Sequence, residues 1–219
     1  MSQEPPLTIL IIAVTAGITA WAFYQPDILQ RLILDSFSVI RGKEYHRLIT
    51  SGFIHGDWIH FAFNMISFYS FAESIEAYFG VIRLAVVYFG SIIASSAFAL
   101  AVNRGRNYRA LGASGGVCGV IFGSLFLLDG GSIIVFPIPI PIPAFIYAFM
   151  FIAVSVFAMG RAGNISHEAH IGGAVSGMLI TAALYPTVIF INPLMFFGIF
   201  AFCGLLWFLA PKIFIRMKK

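Results

Sequence analysis

Apolar residues along this chain come in long blocks, separated by short polar stretches or by stretches rich in glycine and proline. Seven blocks predict helices, at about 7–24, 58–79, 81–102, 114–128, 144–159, 168–185 and 191–209. Most match the roughly 20 residues that cross a hydrocarbon core of ~30 Å. Inside lipid a backbone has no water to bond, so each crossing segment must be helical. Segment 25–57 is too polar to cross and too apolar in patches, such as 28–34, to lie free in water; it is expected to form short helices at the membrane interface. The connector 129–143 carries Pro137, Pro139, Pro141 and Pro143. Prolines at alternate positions exclude a helix there.

Composition turns this pattern into a fold class. Hydrophobic residues make up 60% of the 219 positions and charged residues 10%, with a mean hydropathy of +0.94. A soluble domain is roughly half apolar and a quarter charged. The expectation is therefore an all-α, polytopic membrane helical bundle: one membrane domain over 1–219, with a six-span core at about 7–186 and a seventh, C-terminal span at about 191–209. The first block reads as a retained span, because no Lys or Arg precedes it and no small-residue cleavage site follows. Cys118 and Cys203 fall in apolar blocks and read as small buried hydrophobes. The net charge of +4 comes from cations in loops and at the tail. It argues for lipid headgroups as the contact of Lys212, Arg216, Lys218 and Lys219, and gives no case for nucleic acid.

Polar groups at membrane depth are costly, so each needs a reason. Four stand out: His60 and Asn64 in the second block, Ser114 opening the fourth, and His170 near the start of the sixth. Even-numbered spans run in one direction, so all four fall near the same face at similar depth. His60 and Asn64 are four apart and share one helix face, from which both can donate hydrogen bonds. The fifteen residues of 114–128, at ~1.5 Å each, reach roughly 22 Å, short of the ~30 Å core. Ser114 should therefore sit below the surface in a polar recess. It also begins a helix, where free N–H groups favour negative charge. His170 can act as the base that activates its hydroxyl. Gly112 and Gly115 give the backbone room beside that hydroxyl. Gly115, Gly119 and Gly123 recur at the spacing of Ala169, Gly173 and Gly177, and small residues in this register let two membrane helices approach closely.

With these residues in place the chain resembles a rhomboid intramembrane serine protease. The matching pieces are His60-x-x-x-Asn64, Glu76-x-x-x-Gly80, Gly112-Ala113-Ser114-Gly115 and Ala169-His170-x-x-Gly173-x-x-x-Gly177. The resemblance implies Ser114 as nucleophile and His170 as general base and then acid, a dyad needing no Asp. It also implies His60, Asn64 and the Ser114 N–H as the oxyanion hole, with Gly112, Gly115, Gly173 and Gly177 in support. Substrates would be single-span membrane proteins with helix-destabilising segments, and the fifth span with loop 160–167 would act as a lateral gate. No cofactor and no metal are implied, and the expected setting is a bacterial inner membrane. Many members carry an aromatic residue four after the serine, stacked on the catalytic histidine; here Cys118 stands there. Where the family often has Trp-Arg in the first loop, this chain has His46-Arg47.

The resemblance also implies a cytoplasmic N-terminus and a site that opens outward. The cations oppose this, since the outer side would hold Arg31, Arg41, Lys43, Arg47, Arg104, Arg106, Arg109, Arg161 and the basic tail, against Arg83 inside. Other chemistries fit less well. His167-Glu168-Ala169-His170 looks like a zinc motif, but its histidines are three apart, whereas the zinc-protease motif needs four. A transporter would need acidic partners at mid-membrane, and none falls there. The alternative within the family is a non-catalytic binder of membrane clients, which usually lacks the serine or the histidine.

Overall fold

Caps, glycines and prolines set the ends of the helices. The structure, a computed structural model, describes residues 5–125, 131–135, 138–158 and 166–217. The far end of the fourth block, parts of the proline connector, Arg161 with most of loop 160–167, Lys218 and Lys219 lie outside the described residues.

Helix α1 (Pro6–Tyr24) opens on a proline, which is preorganised for a first helical turn. Helices α2 (Pro26–Leu32), α3 (Ser36–Ile40) and α4 (Arg47–Thr50) fill the segment expected to form short helices. The buried Arg47 ties α4 to α2 and the residue after it, its Nη1 donating to Gln30 O at 2.7 Å and to Ile33 O at 2.8 Å. Helix α5 (Trp58–Phe79) is capped by Asp57, whose Oδ1 accepts from His60 N at 2.7 Å. Gly80, at φ +84°, ends it. Helix α6 (Val81–Val102) follows directly. Helices α7 (Ser114–Ser124), α8 (Ala144–Ala158), α9 (His167–Leu184), α10 (Val188–Ile191) and α11 (Pro193–Met217) complete the chain. The last begins at Pro193 because Asn192 Oδ1 caps it, accepting from Met195 N at 3.1 Å. Among the described residues, α1 and α6 are long and apolar enough to cross a membrane on length and composition.

In place of a helix, the described part of the proline connector forms a hairpin, β3 (Ser132–Val135) against β4 (Ile138–Pro143). Successive N–H groups of a strand point to opposite edges, so prolines at every second position leave the isoleucine amides free to pair. A second short pair joins β1 (Leu34–Asp35) to β2 (Arg109–Ala110) and ties the first long loop to the segment before α7.

The centre of the fold is α7, buried from Gly115 to Ser124 between α6 and α9. It is apolar on all sides, as a central helix must be. Helix α11 lies on α8, with Phe149 and Phe202 edge to face at 5.2 Å. Glu76, near the end of α5, clasps the start of α1. Its carboxylate accepts from Leu7 N (2.8 Å), Thr8 N (3.0 Å) and Thr8 Oγ1 (2.6 Å). These are charge-assisted bonds at a helix N-terminus. Glu76→Ala orphans three donors at once and is expected to cost on the order of 3 kcal/mol. A thermal midpoint in detergent unchanged by this substitution would contradict that role.

Candidate active site

The turn before α7 is held from behind. Gly112 N donates to Ser51 O at 2.9 Å. Gly112 sits at φ +116°, and a Cβ there would lie 2.8 Å from Cε1 and 2.9 Å from Nε2 of His60. Glycine is therefore required twice over, by backbone conformation and by the imidazole packed on it. Ala113 caps α7 and Ser114 is its first helical residue, as the sequence pattern places it. Ser114 is half-buried, beside a small cavity that Ser51, Ser95, Ser166 and Ala169 help to line.

The two glycine stripes meet backbone to backbone. A Cβ at Gly173 would fall well inside contact distance of Gly115 O, and one at Gly177 inside that of Gly119 O. On its other flank, α7 rests on α6, where the Ser95 and Ser91 hydroxyls occupy the space a Cβ at Gly115 or Gly119 would need. The first turns of α7 and α9 are consequently side by side, and Ser114 and His170 each adjoin this contact zone. Among the described hydrogen bonds none joins Ser114 to His170; such bonds are often long before substrate binds.

The His170 ring lies against Phe151 of α8, centroids 5.9 Å apart and planes 26° from parallel, with His167 edge-on at 5.8 Å. The stretch holding Phe151 reads in sequence as ordinary packing or lipid-facing surface. In the structure Phe151 of that stretch packs on the His170 ring from α8, while the position four after Ser114 holds the buried Cys118. No spacing signal marks Phe151 among the many phenylalanines. On α5, His60 stands in the first turn, and Asn64, one turn on and buried, donates from Nδ2 to His60 O at 2.9 Å. An amide NH₂ has two donors, and this bond engages one of them. His55 is fully buried and edge-on to His60 at 5.1 Å; its sequence context suggests a structural or surface group. Tyr108, in the segment before α7, bonds through its hydroxyl to Ser166, the N-cap of α9. Burial pushes the Tyr108 phenol up to about 12, so it remains protonated near neutral pH. Among the described residues no group of three or more His, Cys, Asp or Glu is placed to hold a metal ion.

Comparison with known proteins gives a consistent result. The Rhomboid domain family model matches residues 42–187. "RHOMBOID-like protein 4" of Arabidopsis thaliana is 29% identical over 67% of this chain and 36% of its own length. "Rhomboid protein 1, mitochondrial" of Saccharomyces cerevisiae is 29% identical over 60% of this chain and 40% of its own. A Bacillus subtilis protein whose name assigns it provisionally to the rhomboid proteases is 29% identical over 56% of this chain and 63% of its own length. This chain thus spans 36% and 40% of the first two relatives.

Proposed function

The chain belongs to the rhomboid family of integral membrane proteins, and from that premise we propose that it is an intramembrane serine endopeptidase cutting transmembrane segments of other membrane proteins. The six-span core with a seventh, C-terminal span is part of this reading, as is a bacterial cell membrane as host.

Ser114 Oγ attacks the scissile carbonyl carbon and its proton passes to a ring nitrogen of His170. The resulting oxyanion takes hydrogen bonds from His60, Asn64 and the Ser114 N–H, each donor contributing about 3 kcal/mol. The C–N bond then breaks and the leaving amine takes the proton from His170. Water, activated by the same imidazole, next hydrolyses the acyl-enzyme. A single-span substrate must unwind locally to present its peptide bond, which favours segments with helix-breaking residues. Helix α8 would act as the lateral gate through which the substrate enters.

The observation that carries this reading is the backbone contact of Gly115 and Gly119 with Gly173 and Gly177. It supports a nucleophile and a base brought together from helices far apart in sequence. The test is purified protein in liposomes with a single-span test substrate, a serine-directed fluorophosphonate and a chelator. We expect cleavage, an adduct on Ser114 and no effect of chelation. Absence of cleavage, an adduct elsewhere, or inhibition by the chelator would each overturn it.

Phe151→Ala is expected to lower kcat by up to about tenfold, because an aromatic contact is worth ~0.5–1.5 kcal/mol. Cys118→Tyr in that background should restore part of the loss by supplying a ring from α7. Unchanged kcat in Phe151→Ala would remove Phe151 as the support of His170.

A further inference from the structure

His55 is fully buried between the 3-10 turn Ser51–Phe53 and the start of α5. Its Nε2 accepts from Ala113 N at 3.3 Å. Its Nδ1 lies 3.1 Å from Thr19 Oγ1 on α1, and that hydroxyl donates to Phe53 O at 3.0 Å. The ends of this chain of bonds are a backbone N–H, which can only donate, and a backbone carbonyl, which can only accept. A neutral imidazole has one donor and one acceptor nitrogen. Nε2 must then be the acceptor and Nδ1 must carry the hydrogen, giving it to Thr19 Oγ1, whose own hydrogen goes to Phe53. Burial, with His60 adding to it and Asp57 opposing, holds the His55 imidazole down to about 3, so the ring is neutral near pH 7.

Two successive amides ahead of the nucleophile are thereby tied to the first long loop: Gly112 N–H to Ser51 and Ala113 N–H to His55. The next amide is that of Ser114. Fixing the two preceding peptide planes fixes its direction and the point from which Oγ projects. The ring of His55 also backs His60 edge-on.

We propose that His55 is a positioning residue for the nucleophile and oxyanion donors: held as the Nδ1–H tautomer by Thr19 on α1, it anchors the turn that presents Ser114 and braces His60. The inference rests on Ser114 being the nucleophile, which is the reading above. It makes a hydroxyl on α1, remote from the chemistry, a determinant of turnover. Thr19→Val keeps the β-branched shape but removes the acceptor for Nδ1–H. The ring is then free to hold its hydrogen on Nε2, facing the Ala113 N–H.

The test uses the full chain in detergent micelles with ¹⁵N-labelled histidine and, in parallel, cleavage kinetics. In the unsubstituted protein His55 should show a protonated Nδ1 and a bare Nε2. Thr19→Val should shift this signature and lower kcat about tenfold to a hundredfold, the scale of a misplaced reacting group, with KM unchanged. His55→Gln, whose Oε1 can stand where Nε2 stood, should retain more kcat than His55→Phe, which keeps a ring and loses the acceptor. A hydrogen found on Nε2 in the unsubstituted protein sinks the proposal. So do folded Thr19→Val and His55→Phe variants with wild-type kcat. The tautomer is read without any substitution, so a variant that fails to fold leaves that arm intact. A Ser114→Ala control separates the two ideas: cleavage that survives it rejects the nucleophile reading itself, whatever His55 does.

Discussion

Ser114→Ala is expected to reduce cleavage of a transmembrane substrate by about ten-thousand-fold or more, the scale seen when a hydroxyl nucleophile is removed from a serine hydrolase. His170→Ala should cost a similar factor, since an alcohol without a base at neutral pH is a poor nucleophile. The sharper expectation concerns the double variant. Residues that act as one unit are grossly non-additive, so removing both should cost little more than removing either. A double variant whose loss approached the product of the single losses would mean that the two side chains act separately, and the dyad would be abandoned. The serine substitution opens little space. Ser114 is half-buried and loses one atom, so its thermal midpoint should stay near that of the parent. That separates lost chemistry from lost structure. On the proposed roles, His60→Ala and Asn64→Ala should each cost about a hundredfold to a thousandfold, less than Ser114→Ala or His170→Ala, because other oxyanion donors would still act.

Local signals are strong enough to place much of this fold from sequence. The apolar blocks at 58–79 and 81–102 match α5 and α6 end to end, and the block from 144 opens where α8 does. The four candidate residues can be grouped because span parity fixes depth, and depth makes polar residues conspicuous. Contacts made across the fold are not legible in this way. Nothing near Phe151 distinguishes it from the other aromatic residues of α8, because its meaning comes from His170 on another helix. His55 looks merely structural in sequence because its two partners, Thr19 and Ala113, lie 36 and 58 residues away. Arg47 stands out in sequence only as part of a departure from a motif. Its role as the tie between α2, the loop after it and Glu44 is a matter of carbonyls that no side-chain pattern encodes. The proline connector shows the limit of exclusion: ruling out a helix does not by itself yield the β3–β4 hairpin.

Gly173→Ala is expected to destabilise the fold and lower cleavage, by a route different from loss of the nucleophile. The added Cβ would press on the carbonyl oxygen, carbonyl carbon and Cα of Gly115, and backbone atoms in the middle of two packed helices have no rotamer into which to retreat. Relief requires α7 and α9 to separate, which opens voids along the whole seam and carries His170 away from Ser114. Overpacking a core typically costs about 1–3 kcal/mol, occasionally more, and here both neighbours are rigid, so the upper end or beyond is expected. Gly177→Ala should behave alike, since its Cβ would meet Gly119 in the same way. Two controls identify the cause. At Gly17, on α1, a Cβ would meet nothing within 4 Å, and at Gly90 the closest obstacle is Cδ1 of Ile180 at 2.8 Å, the movable end of a side chain. Alanine at 17 should be neutral or slightly stabilising, through helix propensity, and alanine at 90 should be mild. Thermal unfolding in detergent, read beside cleavage, ranks the four variants. If Gly173→Ala and Gly177→Ala unfold and cleave like Gly17→Ala, the seam is not the tight backbone contact described, and the proposed pairing of Ser114 with His170 would lose its support.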